Sequence, residues 1–283
     1  MQQAYIDTEA RPRNWLPLIN ALFYVVLAVG VAAFGYYLYT YLNLINIYLS
    51  FLLQAAGLTI GISVFSMILA MIFGFIGALG RLSRFAPFRI IATVYVEVVR
   101  GTPILVQLLL WNFGVGFTLS SLGFDPYTVA FNLLTPFQEN SLVPFAFSAY
   151  FYGVIGLSFN YGAYLTEVFR SGIESVDKGQ SEAALSLGLN SGQTMRRIVL
   201  PQAVRITMPP FTNYFITLIQ DSALLSVLGV VELEDTIGSF AYPLTDSGQK
   251  LFVFILGALI YLAICYPLTL LARFLESRMS VAY

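Results

Sequence analysis

The sequence predicts an all-α integral membrane protein with six transmembrane helices and both termini in the cytoplasm. Three observations carry that expectation: an apolar composition, six apolar stretches of spanning length, and a strongly one-sided placement of basic residues. Of the 283 residues, 58% are hydrophobic and only 10% are charged, with a mean hydropathy of +0.78. A soluble domain is usually about 25% charged, so lipid is the solvent this composition suits. The net charge of −1 decides little, because in a membrane protein the placement of charge matters more than its sum.

A spanning helix needs roughly 20 mostly apolar residues. The stretches that qualify are about 17–41, 52–80, 88–113, 146–170, 207–230 and 251–275. With the N-terminus inside, the inner segments hold Arg11, Arg13, Arg81, Arg84, Arg89, Arg170, Lys178, Arg196, Arg197, Arg205, Arg273 and Arg278. That puts twelve of the fourteen basic residues on one side, as the positive-inside rule expects. Lys250 falls outside, Arg100 falls within a span, and Asp125, Glu139, Glu232, Glu234, Asp235 and Asp246 fall outside. The first residues, Met1 to Asn14, are polar and lack a cleavage pattern, so the apolar run after them reads as a retained helix. Trp15 and Tyr39 read as interfacial aromatics.

The chain divides into a tail and additional helix over 1–50 and a core over 51–283. An outer loop is expected at 114–145, where Gly123, Pro126, Pro136 and Pro144 give turn signals; it is either a lid or contact surface or a tolerated insertion. Cys265 is the only cysteine and there is no histidine, which removes disulfides, thiolate metal sites and the commonest metal ligand and general base. Neither a metal centre nor a catalytic residue is expected.

The inner segment 171–206 is the most informative. Asp177 with Gln180, and Asn190 with Gln193, stand at capping-box spacing with Asx in the first position. A first short helix runs through Glu182, Ala183, Ala184 and Leu187, and Gly188 releases the chain just past its end. A second places Met195, Ile198 and Val199 on one face beside Arg196 and Arg197, and Pro201 starts the return into the membrane. Two such helices make a knob for another protein, or else simply lie over the bundle.

Glu182-Ala183-Ala184, Gly188, Ile198 and Leu200-Pro201 reproduce the pattern EAA-x3-G-x9-I-x-L-P. That spacing resembles the signature loop of the permease subunits of bacterial ABC importers. The run Glu97-Val98-Val99-Arg100-Gly101-Thr102-Pro103-Ile104-Leu105-Val106-Gln107 resembles a segment of the polar amino acid permeases within that family. Tyr164 to Ile173, Gly179 to Ala184, and Leu200-Pro201-Gln202-Ala203 fit the same group. The similarity covers about residues 52–278. Gln220-Asp221-Ser222-Ala223-Leu224 departs from the K-D-T-S-L often found there.

The resemblance implies a loop that docks on ABC ATPase subunits, with ATP and magnesium bound by those partners and no cofactor in this chain. It also implies a second permease subunit, identical or homologous, and an extracytoplasmic amino-acid-binding protein; nucleic acid has no place in it. The sequence carries no G-x-x-x-x-G-K-[ST] phosphate loop, so energy is expected to enter through a partner and the chain itself is not expected to be an enzyme.

Charges at membrane depth usually face a cavity or a partner. Arg100 is expected near the centre of the third span, where its planar fork suits a substrate carboxylate. Glu97 or Asp221 is placed to receive the ammonium, with Gln220 and Asn160 as polar neighbours. The alternative is that Glu97, three residues before Arg100, neutralises it, or that Asp221 pairs with it to hold two spans together. Pro103, Pro209 and Pro210 interrupt spans three and five, either along a translocation path or as passive kinks. The rival function classes are a self-sufficient secondary transporter or channel for small polar solutes, and a membrane enzyme. The first leaves the loop signature unexplained and lacks a clear internal repeat; the second lacks a nucleophile–base pair.

Overall fold

A computed structural model describes residues 15–137 and 143–279; Arg11, Arg13 and Glu139 lie outside them. The described residues are helical with no strand. By its contacts the chain divides into two units, Met1–Tyr48 and Leu49–Tyr283. In the first, α1 (Leu16–Thr40) is apolar throughout its spanning window and buries none of it. A helix hydrophobic all round suits lipid.

The second unit holds most of α2 (Ile45–Leu82), then α3 (Ala86–Arg100), α4 (Ile104–Leu109), α5 (Gly116–Ser121), α6 (Pro126–Leu134) and α7 (Phe147–Glu174). After these come α8 (Lys178–Ser186), α9 (Ser191–Thr194), α10 (Leu200–Asp221), α11 (Leu233–Ala241) and α12 (Ser247–Met279). Among the described residues four helices are long and apolar enough to cross a membrane: Pro17–Thr40, Leu42–Leu82, Ile104–Ser121 and Ser247–Arg278. The rod Ser191–Leu228, bent by 55° from Leu233–Ala241, gives a fifth if the pair is one span.

The expected third span is displaced. Residues 88–113 do not form one helix, because α3 stops at Arg100, Gly101 caps it, and Pro103 cannot donate to a continuing ladder. The spanning helix starts at Ile104 instead. It runs through a π-type turn, Leu110–Val115, into α5. Residues 114–121 are therefore helix rather than outer loop. In the outer segment, Asp125 caps α6: it accepts from Thr128 N at 3.1 Å and Thr128 Oγ1 at 2.7 Å, and Ser148 Oγ donates to it at 2.7 Å.

α7 is 28 residues long and buries half of them, including Ser158, Asn160 and Thr166. It is not among the spans picked out by apolarity. A helix sheathed by its neighbours can carry such polar residues on its inner face. The sheath comes close because the crossing positions are small. A Cβ on Gly77 of α2 would stand 2.1 Å from Thr166 Oγ1, and one on Gly162 of α7 would stand 2.6 Å from Phe73 Cβ. Small residues at crossings are what let membrane helices pack by close backbone approach. The core around α7 contains Leu108, Leu157, Tyr161, Leu165, Leu218 and Leu225.

Glu232, expected in an outer segment, is fully buried among the helices. It caps α11, accepting from Asp235 N at 2.9 Å. Its other oxygen accepts from Tyr261 Oη of α12 at 3.0 Å and Thr59 Oγ1 of α2 at 3.3 Å. Thr59 Oγ1 also accepts from Leu233 N at 3.0 Å. A buried carboxyl is tolerated only where its oxygens are matched in this way, and here one side chain ties three helices together.

Candidate functional site

Two groups of residues have functional geometry: a polar and aromatic cluster where α3, α4, α7 and α10 meet, and the exposed loop from α8 to α10.

In the first, the break between α3 and α4 leaves backbone carbonyls without helical partners, and Gln107 supplies them. Its amide donates to Val99 O at 2.7 Å, Thr102 Oγ1 at 2.8 Å and Thr102 O at 3.1 Å. Asn160 Nδ2 donates to Gln107 Oε1 at 3.1 Å. Asn160, predicted as a polar group facing substrate, is buried and holds this junction.

Arg100 is not at the centre of a span but at the end of α3, just before the break, and it is exposed. Its guanidinium lies over the Tyr164 ring, 5.3 Å from the centroid. Glu97 does not neutralise it: Glu97 Oε1 is 3.9 Å from Arg81 Nη1, and Arg81 Nη2 is 3.5 Å from Glu167. Glu167 continues the chain to Arg170 at 2.9 Å, and Arg170 also pairs with Glu174. Among the described residues Arg100 makes no ion pair.

Asp221 is at the last position of α10, where the helix tightens to 3₁₀ geometry over Ser222–Leu228. Tyr161 Oη donates to Asp221 Oδ2 at 2.6 Å. Tyr161, Tyr164 and Tyr214 form one ring cluster, with centroids 5.4 Å apart for Tyr164–Tyr214, 6.2 Å for Tyr161–Tyr164 and 6.5 Å for Tyr161–Tyr214. Arg100 and Asp221 are thus joined through tyrosines rather than by a direct ion pair. Gln220 is exposed beside Asp221. The arrangement offers a cation and an anion on one aromatic cluster, which is the chemistry a zwitterion needs.

The tyrosines, Gln107 and the Arg81–Glu167–Arg170 chain were absent from the sequence-predicted site. Tyr161, Tyr164 and Glu167 do recur at helical spacing on α7, a signal that was available.

In the second group, α8 ends as Gly188 predicts. Gly188 has φ +87°, Leu189 N donates to Ala184 O at 3.1 Å and Gly188 N to Leu185 O at 3.0 Å. That is the Schellman pairing, which requires a left-handed residue here. Asn190 and Gln193 complete a reciprocal capping box. Asp177 does not: its carboxylate accepts from Gly179 N, while Gln180 receives a hydrogen bond from Gln202.

The inward face of the second helix is also corrected. Thr194 and Val199 are buried, Ile198 is half-buried, and Met195 is exposed, because the turns widen to π geometry over Met195–Val199 and shift the register. Val199 packs with Val176 and Ala203. Glu182, Ala183, Arg196 and Arg197 face outward to some degree, whereas Ala184 is buried. Leu200 and Pro201 begin α10.

The chain belongs to the family of binding-protein-dependent transport system inner membrane components, which it matches over residues 66–281. It is 37% identical over 221 residues to the L-cystine transport system permease protein TcyB of Bacillus subtilis, covering 78% of this chain and 83% of that one. It is 31% identical over 235 residues to the glutamine transport system permease protein GlnP of Escherichia coli K12, covering 81% and 93%. A solved amino acid ABC transporter, crystallised with histidines, aligns with TM-score 0.64 and 31% identity over 84% of this chain and 98% of that one. A methionine ABC transporter at 15% identity and TM-score 0.54, over 82% and 98%, shares the fold.

Proposed function

We propose that this chain is the permease subunit of an ATP-driven importer of polar amino acids, with six spans and both ends in the cytoplasm. The observation that carries the reading is the loop from Glu182 to Pro201, whose signature residues sit on an exposed, tightly capped helix pair. The one-sided basic residues support the orientation, and the relatives' shared amino acid cargo supports the substrate class.

In this reading α8 and α9 dock on an ATPase partner that binds ATP and magnesium, and a second permease copy or homologue completes the pathway. A binding protein delivers substrate from outside. Closure of the ATPase pair pushes the loop, and α10 carries the displacement to Asp221. Arg100 takes the substrate carboxylate and Asp221, with the tyrosine cluster, takes the ammonium. Arg100 is free to do so because Glu97 is already committed to Arg81.

The test is ATP hydrolysis by the chain co-purified with its ATPase partner in lipid vesicles, with binding protein added from outside and loaded with each of a panel of amino acids. Stimulation by polar amino acids is expected. A rate indifferent to every loaded binding protein would sink the importer reading.

A further inference from the structure

An apolar groove of about 600 Å³ opens between α2, α3 and α7, lined among others by Phe73, Ile76, Gly80, Phe88, Ile91 and Tyr95. It exists because Gly80 and Ala92 face each other across the crossing: a Cβ on Gly80 would stand 2.9 Å from that of Ala92. Tyr95 spends its hydroxyl on Phe159 O at 2.7 Å, so it too offers the groove its ring.

One end of the groove reaches the turn between α2 and α3, where Ser83 and Phe88 line it. That turn is electropositive. Arg84 and Arg89 adjoin those two lining residues, both are exposed, and neither makes an ion pair among the described residues. Arg81 is set apart by its ties to Glu97 and Glu167. The same turn presents the N-terminus of α3, a 15-residue helix that starts with no side-chain cap and with Pro87 in its first turn. Backbone N–H groups there are unmatched within the helix and favour an anion.

We infer that this groove and turn form a binding site for one anionic phospholipid, its acyl chain against Phe73, Ile76 and Ile91 and its phosphate on Arg84, Arg89 and the start of α3. An apolar slot alone would take any acyl chain. Two arginines next in sequence to the lining residues Ser83 and Phe88, together with the uncapped start of α3, favour a net negative headgroup, as basic pockets between membrane helices do. Exposed Phe85 just before α3, and Ile90 and Val94 on it, suit this amphipathic helix to the apolar–polar boundary, where that headgroup sits.

The experiment uses the full-length chain with its co-purifying subunits, in vesicles of equal phosphatidylglycerol and phosphatidylethanolamine. Lipids retained after detergent extraction are counted by native mass spectrometry. The wild-type chain should retain phosphatidylglycerol over phosphatidylethanolamine by roughly thirtyfold, about fivefold for each guanidinium. Arg84→Gln with Arg89→Gln should lose most of that preference. Ile91→Trp, which fills the groove at an exposed position, should lower retention of both lipids. Undiminished preference in the double variant overturns the site. So does an Ile91→Trp chain that keeps its lipid but no longer pairs with a second copy, since a protein chain would then be the occupant. No transport is measured, so failure here leaves the importer proposal standing and the reverse also holds.

Discussion

Asn160 on α7 donates to Gln107 on α4 at 3.1 Å, and Gln107 in turn donates to Val99 O on α3 at 2.7 Å. Three helices are locked at the point where the chain breaks, by two amides that satisfy each other and a stranded carbonyl. Asn160→Leu should therefore destabilise by about 1–3 kcal/mol, the usual effect of leaving a buried acceptor unmatched. Gln107→Leu should cost more, because several donor bonds vanish with it. Thermal unfolding in detergent reads both, and an Asn160→Leu chain as stable as the wild type would refute the lock.

Glu232 predicts a sharper contrast. Glu232→Gln keeps an oxygen for the Asp235 N–H and a polar group for Tyr261 and Thr59, so folded yield should stay near wild type. Glu232→Leu strands those donors at roughly 1–3 kcal/mol each and should cut the yield of folded protein severely. Equal yields for the two variants would show that the carboxyl does not hold α2, α11 and α12.

Gly188 has φ +87°, a conformation that costs an ordinary residue roughly 1–2 kcal/mol. Gly188→Asn should be tolerated, since Asn visits this region. Gly188→Val should leave insertion intact but separate ATP hydrolysis from uptake. Full, coupled uptake by the valine variant, measured in vesicles, would count against the docking role of this loop.

Arg100→Lys keeps the charge but loses the planar face over Tyr164 and the bidentate fork. The expected result is an apparent KM for transport raised roughly tenfold, in line with a cation–π and carboxylate contact of this kind. A lowered kcat with an unchanged KM would place Arg100 in the structural frame instead.

Asp125 gives the pH dependence. Partial burial raises its pKa, but hydrogen bonds from Ser148 and Thr128 outweigh that and hold it below the usual carboxylate value. A depressed folded pKa means the cap stabilises α6 above the unfolded pKa and is lost as pH falls through the folded one. Amide protection in Pro126–Leu134, with exchange corrected for its intrinsic pH dependence, should therefore stay constant from neutral down to mild acid and fall on strong acidification. Asp125→Asn should flatten the acid response.

The parts of the molecule legible in the sequence are those set by neighbours along the chain. Gly188 after an alanine-rich turn, and Asn190 three residues before Gln193, are local codes that hold in any context. The four most apolar spans are equally local, since for them length and hydropathy suffice. Arg100 was misplaced because the apolar run continues through Gly101-Thr102-Pro103, and composition averages over a break that backbone chemistry enforces. The burial of Glu232 was not foreseen because its partners, Thr59 and Tyr261, are 173 and 29 residues away. Burial by distant helices leaves no mark on the local pattern. The bond from Asn160 to Gln107, 53 residues away, was illegible for the same reason.

The rod that begins at Ser191 and ends α10 at Asp221 is about 45 Å long at an ordinary helical rise. Pro209 and Pro210 stand inside it, so the carbonyls of Arg205 and Ile206 have no amide to receive from. A shaft with two adjacent rungs missing yields there first. Under the proposed coupling, force applied at the capping box of Asn190 would arrive at Asp221 only after that joint has flexed, so the diproline would act as a built-in slack between engine and load. Restoring the rungs would stiffen the transmission and tighten the timing between the two ends.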